Sequence, residues 1–480
     1  MSTAQRLVKS TSYLTASRLS GDLIYFTFYV LLSRTFGREG IGLYSFAVEL
    51  GGTLAILADY GLSAYLVREL SRRREQLLQF LGTFLLLKAA FTVVLVAGLA
   101  AIAPLLGLDA RGRIILLTIA AAHGLYSFGE LFRGAFAVHE RLNEVAFLDL
   151  LYKGGLWILG SAALALRWPL EQVLLVFPAS AALALLVLAT MTLRRIGRPV
   201  LRLDWSIVKD VGAAPVPFLL SALLMDLNFS LAIILVNLLK GEAACGVFAV
   251  ACKLVGAMTI PALFYRMAVF PALSRAYRES AREHRQLYEQ SIRYLLLAFV
   301  PAAGVVLMGA PLLVRAVFGA EFAASGIVLQ IMSPLLILMT LRQLLVALLG
   351  SIDAQRRLAA YQGLSVLTSL VAGILLVPRW GATGAAAALG LSELVTVVLA
   401  FRLAAQAVAP LDWPRLLTKP LAASAVTGVV VGALRAAPLA VVLAAAVAAC
   451  VTTLLSVGGV TWQELVIVRD ALVPGFRRVS

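Results

Sequence analysis

The chain is predicted to be an all-α polytopic membrane protein of about 14 transmembrane helices. Two pseudo-symmetric six-helix bundles are expected, followed by two additional helices. Three observations predict this class. The 480 residues are 61% hydrophobic and only 14% charged, where soluble domains run about 45–50% and about 25%. Apolar runs of membrane-crossing length recur along nearly the whole chain. Part of the first half returns in the second. The strand alternation of an outer-membrane barrel is missing.

In order, spans are predicted at 11–34, 42–66, 78–103, 114–137, 145–166, 171–193, 213–238, 244–270, 294–317, 325–350, 359–377, 384–401, 418–434 and 438–458. The first, "TASRLSGDLIYFTFYVLLSR", is long and carries Arg18 and Asp22, so an uncleaved anchor is expected rather than a cleaved signal. The second ends at the basic run "RELSRRREQ" (68–76), the sixth at "RRIGRPVLRLDWSIVKD" (194–210) and the eighth at "SRAYRESAREHRQ" (274–286). Gly21 in the first span and Pro261 in the eighth are places where those helices could bend. The last two spans are rich in Ala and Val and hold no interior charge. They are expected to dock on the bundles and shield a polyprenyl tail.

The net charge of +16 does not point to nucleic acid, because it is distributed by side. With the N-terminus inside, 25 of the 41 Lys and Arg fall in cytoplasmic segments, 9 in external loops or at their helix ends and 7 in span interiors. That asymmetry predicts both termini in the cytoplasm of a multi-pass protein of the bacterial inner membrane. The external loops, such as "TFGREGI", "KGEAA" and "RWGATG", are all short. They offer no platform for the acceptor of an outward-facing ligase or polymerase, and no G-x-x-x-x-G-K-[ST] occurs. The chain is therefore not expected to be an enzyme. His123, His139 and His284 lack ligand spacing, and the three cysteines sit in apolar helices, so no metal or disulfide is expected.

"FAV" recurs at 46–48 and 248–250 and "LSR" at 70–72 and 273–275, offsets of 202 and 203 residues. Asp22 and Asp226 precede these repeats at similar distances. Six spans per unit give both halves one orientation, hence two bundles about an axis along the membrane normal, with a substrate site between them. The division read from sequence is an N-terminal bundle at 1–193, a linker at 194–212, a C-terminal bundle at 213–401, and two further helices with a cytoplasmic tail at 402–480.

Fourteen charges lie in the interiors of spans, away from their ends. Facing lipid, each would cost ~2.5–3.5 kcal/mol, so they must face one another or a wet cavity. Arg18, Lys88, Lys253, Arg266 and Arg342 are candidate cavity cations for an anionic substrate, because cations in a wet cleft suit phosphate or diphosphate. Asp22, Glu49, Asp226 and Glu393 are candidate cavity or coupling acids. Asp59, Glu130, Arg133, Asp149 and Lys153, in the cytoplasmic thirds of their helices, form either a packing network or an inner gate. Arg18/Asp22 and Asp149/Lys153 at i,i+4 and Glu130/Arg133 at i,i+3 share helix faces and are expected to pair.

"GLYSFAVELGGTLAILADYGLSAYLVRELSR" (42–72) resembles the second-span region of bacterial polysaccharide flippases, a branch of the superfamily that contains the multidrug and toxin extrusion transporters. "YRMAVFPALSRAY" (265–277) is similar to the end of span eight there, lipid II flippases included, and "GATGAAAA" (381–388) is a weaker echo. The resemblance implies alternating-access translocation of an undecaprenyl-diphosphate-linked oligosaccharide from the inner to the outer leaflet. It also implies that Arg18, Lys253 and Arg266 contact the diphosphate or sugars. The partners implied are that lipid-linked glycan, membrane lipid and other polysaccharide-assembly proteins. No cofactor is implied, and H⁺ or Na⁺ coupling stays open. A cation-coupled multidrug exporter and a lipid II flippase are the alternatives within the fold.

Overall fold

The computed structural model describes residues 3–460, with side chains from Ser17 onward except those of Leu142 and Gln355. The tail expected at 461–480 lies outside the described residues. The described chain is helical without strands. It runs through α1 (Thr3–Asp59), α2 (Leu62–Leu70), α3 (Leu77–Ile102), α4 (Ala110–Val138), α5 (Leu142–Ala165), α6 (Leu170–Val173), α7 (Val176–Arg195) and α8 (Trp205–Val211). It continues through α9 (Val216–Lys240), α10 (Glu242–Glu279), α11 (Ala281–Phe318), α12 (Ala324–Ser351), α13 (Gln355–Ala407), α14 (Trp413–Ala433) and α15 (Leu439–Ser456).

Among the described residues, 12 helices are long and apolar enough to cross a membrane. Two of them are double. α1 turns at Gly37 (φ 64°, ψ −168°) and α13 at Gly381 (φ 55°, ψ −130°), backbone that costs glycine little and other residues more. These bends fall in the predicted loops "TFGREGI" and "RWGATG", so the 12 helices supply the fourteen predicted crossings. At 38 residues each, α10 and α11 reach ~57 Å. They overshoot a hydrocarbon core of ~30 Å at the ends rich in Arg and Glu. Pro261 and Pro271 lie inside α10, which is continuous. Gly21 lies within an unbroken helical stretch of α1.

The chain divides by contact into two compact units. One comprises Met1–Ala249 with Gly373–Ala385, the other Val250–Ala372 with Ala386–Ser480. The first has a buried apolar cluster around Leu66, Phe84, Leu131 and Phe136. The second has its own around Ile292, Leu296, Leu344, Leu348 and Ala404. The segment 198–202 is strapped to α3: Val200 N–H donates to Leu78 O at 3.1 Å and Thr83 Oγ1 to Arg202 O at 3.0 Å. Asp204 caps α8, accepting from Ser206 N at 2.9 Å and Ser206 Oγ at 2.6 Å. Those bonds hold its carboxyl below the usual range.

The repeat register differs from the sequence reading. Gly37 and Gly241 both take positive φ at the start of a helix, 204 residues apart. The same spacing pairs Asp22 with Asp226 and Gly42 with Gly246 without a gap. The "FAV" match at 202 is therefore two residues out of register. The contact partition also cuts across the repeat halves at 1–193 and 213–401. α9 and the first turns of α10 belong to the first unit because they pack on α1 through small residues. Close backbone approach at small residues is how helices associate where lipid gives no hydrophobic drive.

Candidate functional site

Within the first unit, α1, α4 and α5 bring a chain of charges together. Lys153 donates to Asp22 Oδ1 at 2.8 Å and to Asp149 Oδ2 at 2.9 Å. Tyr126 OH lies 3.4 Å from Asp149 Oδ1. The Arg133 guanidinium stacks over the Tyr126 ring at 4.3 Å and donates to Glu130 Oε1 at 2.7 Å. Gly21 makes this arrangement fit, since a Cβ there would lie 2.7 Å from Lys153 Cδ and 3.3 Å from its Nζ. The stretch "SRLSGD" thus carries a glycine so that the lysine of another helix can lie across α1.

The expected Arg18/Asp22 pair does not form. Lys153 holds Asp22, while Arg18 is exposed and has no ion-pair partner among the described residues. Sequence spacing placed the two on one face but could not reveal a competing cation from α5. The Asp149/Lys153 and Glu130/Arg133 pairs are present.

Lys88 departs from its expected place as a cavity cation. Its side chain is fully buried. It is bonded to Asp59 and to Ser127 O at 2.6 Å, with Ser63 Oγ at 3.4 Å. Asp59 also accepts from Ser63 Oγ at 2.5 Å. Lys88, fully buried, and Asp59, partly buried, are thus one pair tying α1 to α3 and α4, and Lys88 is not open to a substrate in this conformation.

Glu49 and Asp226 meet where α1 faces α9. Thr53 Oγ1 lies 2.6 Å from Asp226 Oδ2, and Ser230 Oγ lies 2.7 Å from Glu49 Oε2 and 3.2 Å from Asp226 Oδ2. Sequence reasoning missed these hydroxyls, although a signal existed. Glu49/Thr53, Asp59/Ser63 and Asp226/Ser230 each place Ser or Thr four residues after an acid, one turn along the same face.

In the second unit Arg342 Nε donates to Glu393 Oε2 at 2.9 Å, and Glu393 is fully buried. These were expected as separate cavity groups and instead join α12 to α13. Lys253 and Arg266 lie half-buried on α10, and Arg266 has no ion-pair partner among the described residues. Among those residues, no cluster of three or more His, Cys, Asp or Glu side chains suits a metal ion.

Among the described residues, 12 helices long and apolar enough to cross a membrane, with interior charges held in pairs, define a multi-pass membrane protein. The chain belongs to the polysaccharide biosynthesis protein family, whose profile matches residues 7–277. No curated protein sequence matches it. Its fold is similar to that of the lipid II flippase MurJ in an inward closed conformation, with TM-score 0.74, 10% identity, and 96% and 99% of the two chains covered. It is also similar to an inward-facing multidrug resistance MATE family transporter of the MOP superfamily, with TM-score 0.68, 16% identity, and coverage of 82% and 98%. A MOP superfamily transporter from Pyrococcus furiosus matches with TM-score 0.58 at 16% identity, covering 83% and 95%.

Proposed function

We propose that this protein flips an undecaprenyl-diphosphate-linked oligosaccharide from the cytoplasmic to the outer leaflet of the bacterial inner membrane, by alternating access and without covalent chemistry. One observation carries the reading. Lys88, Arg133, Lys153 and Arg342 are each neutralised by a carboxylate, whereas Arg18 in one unit and Arg266 in the other are not, among the described residues. An unneutralised, water-accessible guanidinium can recognise a diphosphate through two parallel N–H donors. A cationic drug would find the paired interior neutral and these two positions repulsive.

A diphosphate cannot cross hydrocarbon unaided, because stripping its hydration costs many kcal/mol. Interior cations replace that hydration, and moving two negative charges outward gains ~4.6 kcal/mol per 100 mV of inside-negative potential. For ion coupling, the reading favours Asp226. Its carboxylate faces Thr53 and Ser230 hydroxyls beside Glu49, a set of oxygens suited to H⁺ or Na⁺. The family supports a role in glycan assembly beside other polysaccharide-assembly proteins. In a deletion strain, lipid-linked repeat units should accumulate on the cytoplasmic leaflet. Accumulation of unglycosylated carrier, or of finished surface glycan, would count against a flippase.

A further inference from the structure

The foot of the second unit carries a feature that the flipping reading does not use. Where α11 and α14 begin and α15 ends, a cavity of about 640 Å³ is lined by Arg285, Arg293, Arg415 and Lys419 against Glu289 and Asp412. Four cations against two carboxylates leave an excess of two positive charges. Two of the cations are held in place from below. Lys419 Nζ donates to Gly458 O at 2.7 Å and Arg293 Nη2 to Gly459 O at 2.9 Å, carbonyls just past the electronegative end of α15. Arg285 is bonded to Glu289 at 2.8 Å. The Arg415 guanidinium, at the exposed rim, has no ion-pair partner among the described residues.

The cavity is half of an amphiphilic track. Along α11, Arg285, Glu289, Arg293 and Leu297 line it at intervals of four residues. The same row continues with Pro301 and Val305 into an apolar cleft of about 330 Å³. Residues four apart stack on one helix face. α14 does likewise: Asp412, Leu416 and Pro420 line the charged cavity and Thr427 the apolar cleft. α15 closes the cleft with Ala446, Val447 and Cys450. From Arg293 to Val305 the helix rises ~18 Å, about the depth of one leaflet of a ~30 Å core.

We propose that this track binds an anionic glycerophospholipid, with its phosphate headgroup among Arg285, Arg293, Arg415 and Lys419 and an acyl chain along the cleft of α11, α14 and α15. Charge complementarity selects the headgroup. A basic pocket between transmembrane helices at the end bearing the basic loops is a setting in which anionic lipid headgroups bind. The lipid would fasten the last two helices to α11, a role separate from substrate transit.

The test uses the purified, delipidated full chain, with native mass spectrometry and thermal midpoints in added phosphatidylglycerol, phosphatidylcholine or inorganic phosphate. Phosphatidylglycerol is expected to bind and raise the midpoint, while the other two leave it unchanged. Arg415→Gln should lower phosphatidylglycerol occupancy about fivefold. Arg415→Gln with Lys419→Gln should lower it roughly thirtyfold, at about 1 kcal/mol per cation. Arg72→Gln with Arg73→Gln, in the other unit, should leave occupancy unchanged. Equal stabilisation by phosphatidylcholine or by phosphate alone would overturn the proposal. So would full occupancy in Arg415→Gln, a variant that removes no ion pair. Preferential displacement of phosphatidylglycerol by undecaprenyl phosphate at equal concentration would also overturn it, by showing a substrate site instead.

Discussion

Gly42 and Gly246 hold equivalent places in the two repeats, and each packs against the backbone that leads into the other. A Cβ on Gly42 would lie 1.9 Å from Glu242 O, and one on Gly246 would lie 1.9 Å from Arg38 O. The neighbours repeat the symmetry: Cys245 Sγ lies 3.4 Å from Gly42 O, and Ile41 Cγ2 would be 3.0 Å from a Cβ on Gly246. Backbone meets backbone, so neither side can yield by rotating a side chain.

Gly42→Ala and Gly246→Ala should therefore each lower stability by about 1–3 kcal/mol, the range for overpacking. Thermal melting of the purified protein checks this. Gly432→Ala, at a glycine with nothing within 4 Å of its built Cβ, should be neutral. Equal effects at all three positions would remove the special standing of the contact.

Lys153 serves two carboxylates at once. Lys153→Gln leaves Asp22 and Asp149 facing each other without a cation, so it should reduce stability more than Asp22→Asn or Asp149→Asn. Arg18 and Asp22 are not paired, so the effects of Arg18→Gln and Asp22→Asn should add to within ~0.5 kcal/mol. A double-mutant cycle on melting reads both. A coupling above 1 kcal/mol between Arg18 and Asp22 would contradict the observed geometry.

Lys88 is fully buried against a partly buried Asp59, and removing one partner strands the other's charge. Lys88→Met is expected to cost about 3–5 kcal/mol, visible as loss of folded protein in detergent. Lys88→Met with Asp59→Leu should recover much of that loss. A double variant as poor as the single one would mean the pair contributes more than mutual neutralisation.

The crossings were legible because length and apolarity alone specify a span, and the bends at Gly37 and Gly381 only join what sequence had separated. The local pairs Asp149/Lys153 and Glu130/Arg133 were legible for a similar reason, since helix spacing determines them. Lys88–Asp59 and Arg342–Glu393 were not. Their partners are 29 and 51 residues apart, so tertiary packing decides them. Arg18/Asp22 was misread for the same cause, because Lys153 arrives from 131 residues away. The repeat was visible, but its register was set by short apolar matches that chance supplies. The positive-φ glycines fix it better.

The proposed orientation rests on the bias of Lys and Arg. With the N-terminus inside, single cysteines at positions 38 and 379 should react with an impermeant reagent added outside, and those at 73 and 282 only from within. The reverse labelling would remove the basis for the direction of transport.

The central claim is that Arg18 and Arg266, two guanidiniums inside predicted spans with no ion-pair partner among the described residues, bind the anion being moved. The most direct measurement is surface glycan per unit of membrane-inserted protein in Arg18→Gln, Arg18→Lys and Arg266→Gln. The two glutamine variants should insert at wild-type level and lose at least tenfold in export, about the 1.4 kcal/mol that one charge-assisted contact supplies. Arg18→Lys should keep partial export, having charge without the planar fork. Full export by both glutamine variants at wild-type abundance would contradict the claim.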